Sequence, residues 1–182
     1  MTKIINFFGG PGTGKSTSAS GLFSWMKENN YSVELIQEFA KDLVYEQNYT
    51  LLQNQIYVFS EQFRRQYRLL DKVDYIITDS PLLLSSVYFE YYLKDNEFFT
   101  DEYKHKSIDY FDSSFRQFDN INFYIRRKTV FDVNGRNIDE ENSKNIDNII
   151  YNKLINNLNN GILLETDSMN AKIDSINYIQ QL

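Results

Sequence analysis

The sequence predicts an α/β domain built on a five-stranded parallel sheet flanked by helices. Short apolar runs alternate with helix-length segments along the whole chain, the pattern of strands joined by crossover helices. The first run, Ile4 to Phe8, is apolar almost throughout, as suits a strand buried on both faces. A glycine-rich loop, Gly9 to Thr17, follows that run and opens an amphipathic helix.

Each element has its own signal. Lys3-Ile4-Ile5-Asn6-Phe7-Phe8 is the first strand. The helix after the loop runs to about Glu28, with Ala19, Leu22, Phe23 and Met26 on one apolar face, and Asn29-Asn30 ends it. Ser32 to Ile36 is the second strand, and a short helix follows through about Glu46. Leu52, Ile56, Phe59, Phe63, Tyr67 and Leu70 recur at helical spacing and predict one long helix from about Thr50 to Asp71. Tyr75 to Thr78 is the third strand, closed by Asp79-Ser80-Pro81. Helices cover Leu82 to Leu93 and Asp101 to Phe118, and Asn122 to Ile125 is the fourth strand. Residues 126–137 are polar and basic and read as a mobile lid. A helix to about Leu158, a fifth strand from Gly161 to Glu165 and a last helix from about Met169 complete the chain. Neither an internal repeat nor a Pro/Gly/Ser-rich linker divides it, so residues 1–182 read as one domain.

Composition narrows the chemistry. The chain has 182 residues, 42% hydrophobic and 24% charged, enough for a core without staples. It has 0 Cys, which excludes disulfides, a thiol nucleophile and thiolate metal sites, and 1 His, which excludes a multi-histidine site. A net charge of −6 and a pI near 4.9 argue against a protein that coats nucleic acid. No run approaches the roughly 18 apolar residues that span a bilayer, and Ile4 to Phe8 is too short for a signal peptide. The expectation is a soluble, cytoplasmic protein without a membrane partner.

Gly9-x-x-x-x-Gly14-Lys15-Ser16 matches the phosphate-binding P-loop pattern in full, between a strand and a helix as that loop requires. Backbone N–H groups must curl around a phosphate, and glycines permit the curvature. The helix start adds its positive dipole end. Gly9, Gly10, Pro11, Gly12, Thr13, Gly14, Lys15, Ser16 and Thr17 are therefore the candidate nucleotide-binding residues. Lys15 is expected to reach the β- and γ-phosphates, and Ser16 to ligate Mg²⁺. The fold class is then a P-loop NTPase, with a nucleoside triphosphate and Mg²⁺ implied.

Ligands of open α/β sheets bind beyond the carboxyl ends of the strands. Asp79 stands at such an end, as a candidate for holding Mg²⁺ or its water, with a purely turn-forming role as the alternative. Glu38 follows the second strand similarly and could accept a proton from a substrate hydroxyl, or be a first-turn glutamate favoured by the helix dipole. Which of the two is the base stays open. Asp42, one turn beyond Glu38, reads as outlying.

Arg126, Arg127 and Lys128 follow the fourth strand, and Arg136 lies further on beside Gly135. Arginines there can stabilise charge on a transferring phosphoryl group, with Arg126 and Arg136 preferred over Arg127; a solvated loop is the alternative. Arg64, Arg65, Arg68 and Lys72 form a second basic cluster, usually a solvated helix face and otherwise a site for phosphate or nucleic acid. Tyr45, Tyr49, Tyr57, Tyr88, Tyr91 and Tyr92 could stack a base, though packing is the commoner fate. His105 reads as exposed and idle, and Trp25 as packing.

With these residues assembled, the chain resembles a small P-loop kinase: the ribosylnicotinamide kinase domain of the bacterial NAD regulator, and related phage-encoded ATPases and nucleotide kinases. The resemblance rests on residues 9–17, Gln-Glu-Phe-Ala-Lys at 37–41, Ile-Thr-Asp-Ser-Pro at 77–81, and Asp132 with Gly135-Arg136. It implies a sheet in kinase-type order with the Asp79 strand beside the P-loop strand. It implies Mg-ATP as donor, a nucleoside-like acceptor held by the helices after Glu38 and Asp79, and a lid carrying Arg136 over the phosphates. The acidic pattern after the third strand differs from the ribosylnicotinamide kinases, and their lid tryptophan is absent. Ser80 stands where deoxynucleoside and thymidylate kinases usually carry Arg, so those families are not assigned. The leading function is transfer of phosphate from ATP to a nucleoside, nucleotide or related small metabolite. The alternatives are a kinase for nucleic acid, at a 5′ end or a modified base, and an ATPase switch acting on a protein partner.

Overall fold

The structure is a computed structural model that describes residues 1–93, 97–128, 140–157 and 161–182. Asp132, Gly135 and Arg136 lie outside the described residues, as does most of the segment read as a lid. The described elements are β1 (Lys3–Phe8), α1 (Lys15–Glu28), β2 (Val33–Ile36), α2 (Phe39–Tyr45), α3 (Tyr49–Gln53), α4 (Gln55–Tyr67), β3 (Tyr75–Thr78), α5 (Leu83–Leu93), α6 (Asp101–Arg116), β4 (Asp119–Arg126), α7 (Glu140–Asn156), β5 (Gly161–Asp167) and α8 (Ala171–Ile179). Among the described residues no helix is long and apolar enough to cross a membrane.

All strand pairings are parallel, in the order β2-β3-β1-β4-β5. β1 is central, with β3 on one side and β4 on the other, as the kinase-type order requires. Every β1 residue after Lys3 is buried. Side chains alternate across a strand, so Ile5 and Phe7 pack with α1 (Leu22, Met26) and α8 (Ala171, Ile179). Phe8 faces the opposite layer, in one core cluster with Phe59 of α4, Ile150 of α7 and Phe115 of α6, whose ring it meets edge-on. Asn6 lies inside the sheet, its amide donating to Asn120 Oδ1 (2.8 Å) and Asn122 Oδ1 (2.9 Å). That network explains why β4 begins at Asp119 rather than Asn122: buried asparagines that satisfy one another look like loop in a hydropathy pattern.

The single helix expected from Thr50 to Asp71 is two helices. Asn54 leaves helical geometry at ψ 82°, and its side chain accepts from Tyr57 N–H at 3.2 Å, capping α4. Asn48 caps α3 likewise by accepting from Leu51 N–H. The buried face of α4 also differs from the apolar stripe. Ile56 and Tyr67 are exposed, whereas Gln55, Gln62 and Gln66 are buried with Val58 and Phe59. Gln62 is satisfied by the chain between β2 and α2 and by the end of β3: it accepts from Phe39 N–H and donates to Gln37 O and Thr78 Oγ1.

Candidate functional site

β1 ends at Phe8, and the loop from Gly9 to Gly14 carries the chain over the sheet edge into α1. Gly9 has φ 146°, and a Cβ there would stand 2.5 Å from Thr13 Oγ1 and 3.0 Å from Ile125 O. Gly14, the N-cap of α1, has φ 88° in the left-handed region. Lys15, Ser16 and Thr17 precede the first α1 bond, Ser18 N–H to Gly14 O at 2.9 Å, so their N–H groups form the positive end of the helix. Lys15 is buried along the loop, its Nζ donating to Gly9 O at 2.8 Å and Gly10 O at 3.1 Å. Thr13 Oγ1 also donates to Gly10 O at 3.0 Å, which tightens the same turn.

This loop borders a cleft of about 290 Å³. Gly14, Lys15, Ser16 and Thr17 line one side, and Glu38, Lys41, Gln55, Tyr88 and Tyr92 line it from α2, α4 and α5. Glu38 holds the N-cap position of α2 without using its carboxylate as a cap. Burial, and then the Glu38 carboxylate, push the Tyr88 phenol well above its ordinary range, so it remains a hydrogen-bond donor. Gln55 is buried and spends one amide proton on Leu52 O at 2.7 Å. Tyr45, Tyr49, Tyr57 and Tyr91 are exposed.

Asp79 follows β3, the immediate neighbour of β1. It is 5% exposed, and its Oδ1 is buried with no hydrogen-bond partner among the described residues. The turn does not use it in place of a cap: Ser80 N–H donates to Thr78 Oγ1 at 3.1 Å. A carboxylate oxygen left bare at a strand end suits a hard cation, and Ser16, whose side chain is exposed, is the other candidate oxygen ligand. Among the described residues no group of three or more His, Cys, Asp or Glu could hold a metal ion. A Mg²⁺ here would lean on phosphate oxygens and water, as that ion commonly does.

The two arginines after β4 separate. Arg126 is exposed and paired with Glu165 of β5, outside the cleft. Arg127 turns to the loop: Nη1 donates to Pro11 O at 2.9 Å, and Nη2 and Nε donate to Asp147 Oδ2 at 2.9 and 3.2 Å. The cleft thus gathers Lys15, Ser16, Thr17 and Glu38; Asp79 precedes its lining residue Ser80, Arg126 is not among the lining residues, and Arg136 lies outside the described residues. Lys41, noted in the sequence only as the end of the 37–41 motif, lines it too, as does Gln55, which the sequence did not single out. The periodic signal for Gln55 is polar: Gln55, Gln62 and Gln66 share one helix face.

The basic cluster on α4 is largely internal to the helix. Arg64 and Arg65 both pair with Glu61, and Arg65 also reaches Asp42 at 3.4 Å. Arg64, followed by Arg65, holds the Glu61 carboxyl down to about 2. His105 is exposed, and Trp25 packs against Tyr31.

The AAA domain family matches residues 4–170. The chain belongs to that family. No curated protein matches this AAA domain. Among solved structures it is similar to deoxyadenosine kinase from M. mycoides. The dATP complex shares 20% identity over 97% of this chain and 99% of that chain, with a TM-score of 0.68. The form with products dCMP and a flexible dCDP shares 21% over 98% and 100%, with a TM-score of 0.71. The dCTP complex shares 18% over 98% and 100%, with a TM-score of 0.65. At these identities the likeness is one of fold, and Ser80 in place of the usual Arg does not separate this AAA domain from that fold.

The far edge of the loop meets the β5–α8 turn, where Ser168 stands 3.8 Å from a Cβ built on Gly14. Asp167 anchors that turn. Its hydrogen bond from Lys128, followed by Met169 N–H, lowers its carboxyl from 3.8 to about 2. A lowered native pKa stabilises the fold above the unfolded value and loses that contribution as pH falls through the native one. The melting temperatures of wild type and Asp167→Asn should therefore differ most above pH 3.8 and converge as the pH falls to about 2. A constant difference across that window would mean that the carboxylate charge does not hold the turn.

Proposed function

We propose that this AAA domain is an ATP- and Mg²⁺-dependent phosphotransferase acting on a nucleoside, nucleotide or related small acceptor. The observation that carries the reading is that the phosphate-binding loop and the Glu38 carboxylate line the same cleft. A kinase needs room for an acceptor next to the phosphate-binding loop, and a carboxylate there can position or deprotonate its hydroxyl. The fold likeness to a deoxyadenosine kinase with bound dATP supports the same class.

In this reading the loop amides and Lys15 hold the β- and γ-phosphates of ATP, and an acceptor hydroxyl faces the γ-phosphorus. Its oxygen forms the new P–O bond, the bond from the γ-phosphorus to ADP breaks, and Glu38 takes the hydroxyl proton. Asp79 is the alternative base, although its buried, unpartnered Oδ1 suits the cation better. Ser16 and Asp79 would hold Mg²⁺, which supplies neutralisation of phosphate charge when bound. Gln55 and Tyr88 offer polar groups to the acceptor's ring or sugar, with Val44, Leu52 and Val58 as apolar wall. A nucleoside such as ribosylnicotinamide, and a phage-type relationship, remain parts of this proposal. Arg136 and Arg126 are assigned to the charge on the transferring group, Arg126 only after release from Glu165.

ADP release from Mg-ATP, alone and with nucleosides, ribosylnicotinamide, nucleoside monophosphates or short DNA, tests the proposal. Stimulation by one small acceptor is expected. Stimulation by DNA alone, or by no small acceptor, would overturn it. With the acceptor known, Arg136→Ala should lower kcat about 100-fold while ATP affinity changes far less. Equal losses in both would make Arg136 a binding residue.

A further inference from the structure

Asp147 lies on α7, and the transfer outlined above does not use it. Its side chain is largely buried, and its two carboxylate oxygens are engaged, one by the phosphate-binding loop and one by Arg127. Oδ1 accepts from Gly10 N–H at 2.5 Å. Oδ2 accepts from Arg127 Nη2 and Nε, and Arg127 Nη1 donates in turn to Pro11 O at 2.9 Å. Two consecutive loop residues are thus gripped by one carboxylate–guanidinium pair, one through its N–H and the next through its C=O. The pair is itself anchored. Tyr124 O–H, on β4, donates to the main-chain oxygen of Asp147 at 3.1 Å. Burial, and then the Asp147 charge, push that phenol up to about 12, so it stays a donor at neutral pH.

A carboxylate beside a triphosphate site is unfavourable unless it does something a neutral side chain cannot. Here it takes up a loop amide, and Arg127 cancels its charge before that charge can oppose the phosphates. The sequence Gly9-Gly10-Pro11-Gly12 has little intrinsic order, so its curve must be held from outside. We propose that Asp147, with Arg127 as its charge partner, is a positioning residue that holds the first half of the phosphate-binding loop in the curve that receives nucleotide. The inference rests on reading that loop as the site of a nucleoside triphosphate.

The test is equilibrium titration of ATP and ADP into the full chain, for wild type, Asp147→Ala, Asp147→Asn, Arg127→Ala and the Asp147→Ala/Arg127→Ala double variant. Each alanine variant should weaken both nucleotides about tenfold. The double variant should bind no worse than the weaker single one, because the two side chains act as one unit. Asp147→Asn should recover part of the loss, since its amide oxygen can still accept from Gly10 N–H. The KM for the acceptor should not move. Wild-type affinity in Asp147→Ala, or additive losses in the double variant, would overturn the inference. Should Asp147→Ala not fold, Asp147→Asn and Arg127→Ala decide: unchanged affinity in both would overturn it as well. A wild-type chain that binds ATP but phosphorylates nothing would refute the kinase reading and leave this one standing. Unchanged affinities in a chain with kinase activity would do the reverse.

Discussion

Replacing Lys15 with alanine is expected to lower phosphoryl transfer by at least about 100-fold, because a preorganised cationic donor aimed at developing charge contributes on that scale. Two features make the effect specific to the loop. Lys15 is 9% exposed, so its ammonium acts in surroundings that screen it poorly. Its Nζ already bonds Gly9 O and Gly10 O, so it is held over the loop before nucleotide arrives rather than recruited from solvent. Loss of those bonds also loosens the loop. Thr13 still ties Gly10 O through Oγ1 and N–H, which is why the fold should survive. The measurement is kcat/KM for ATP with the acceptor at saturation, beside a melting curve. A folded variant that turns over at the wild-type rate would remove Lys15 from the chemistry and, with it, the kinase assignment.

What the sequence made legible follows from how local each constraint is. The loop is legible because its geometry admits few residues: Gly9 would collide with Thr13 and Ile125 O if it had a Cβ. The alternation of strands and helices is legible because burial on both faces leaves an apolar run, as in β1. Asn54 hides because a cap in mid-pattern leaves the apolar period intact while ending one helix and starting another. Gln55 hides because the face it shares is buried and polar at once. Arg126 and Arg127 differ by one residue, and the sequence favours the former. β4 runs through Arg126 and directs it beside Glu165, while Arg127, the first residue past the strand, reaches the loop. Asp147 is beyond any local reading, since it lies 137 residues from its partner Gly10.

Asp79→Asn carries the second large expected effect, and it separates two roles that the Asp-Ser-Pro sequence leaves mixed. If Asp79 served the turn, its oxygens would bond the backbone that follows; instead Thr78 Oγ1 takes the Ser80 N–H, and Asp79 Oδ1 is buried without a partner among the described residues. A bare buried polar oxygen costs about 1–3 kcal/mol, more when charged, and folding alone gives no reason to keep it. A cation or its bound water at that oxygen would. Asparagine preserves the size and one carbonyl oxygen but removes the charge. The variant should therefore melt no lower than wild type in the absence of Mg²⁺ and nucleotide, and turn over about 100-fold more slowly in their presence, the upper end of what losing a metal-supporting group costs. Raising the Mg²⁺ concentration should recover part of that rate, since a weakened cation site answers to mass action. A lower melting temperature with undiminished turnover would assign Asp79 to the turn instead, and leave Ser16 and the phosphates to hold the ion without it.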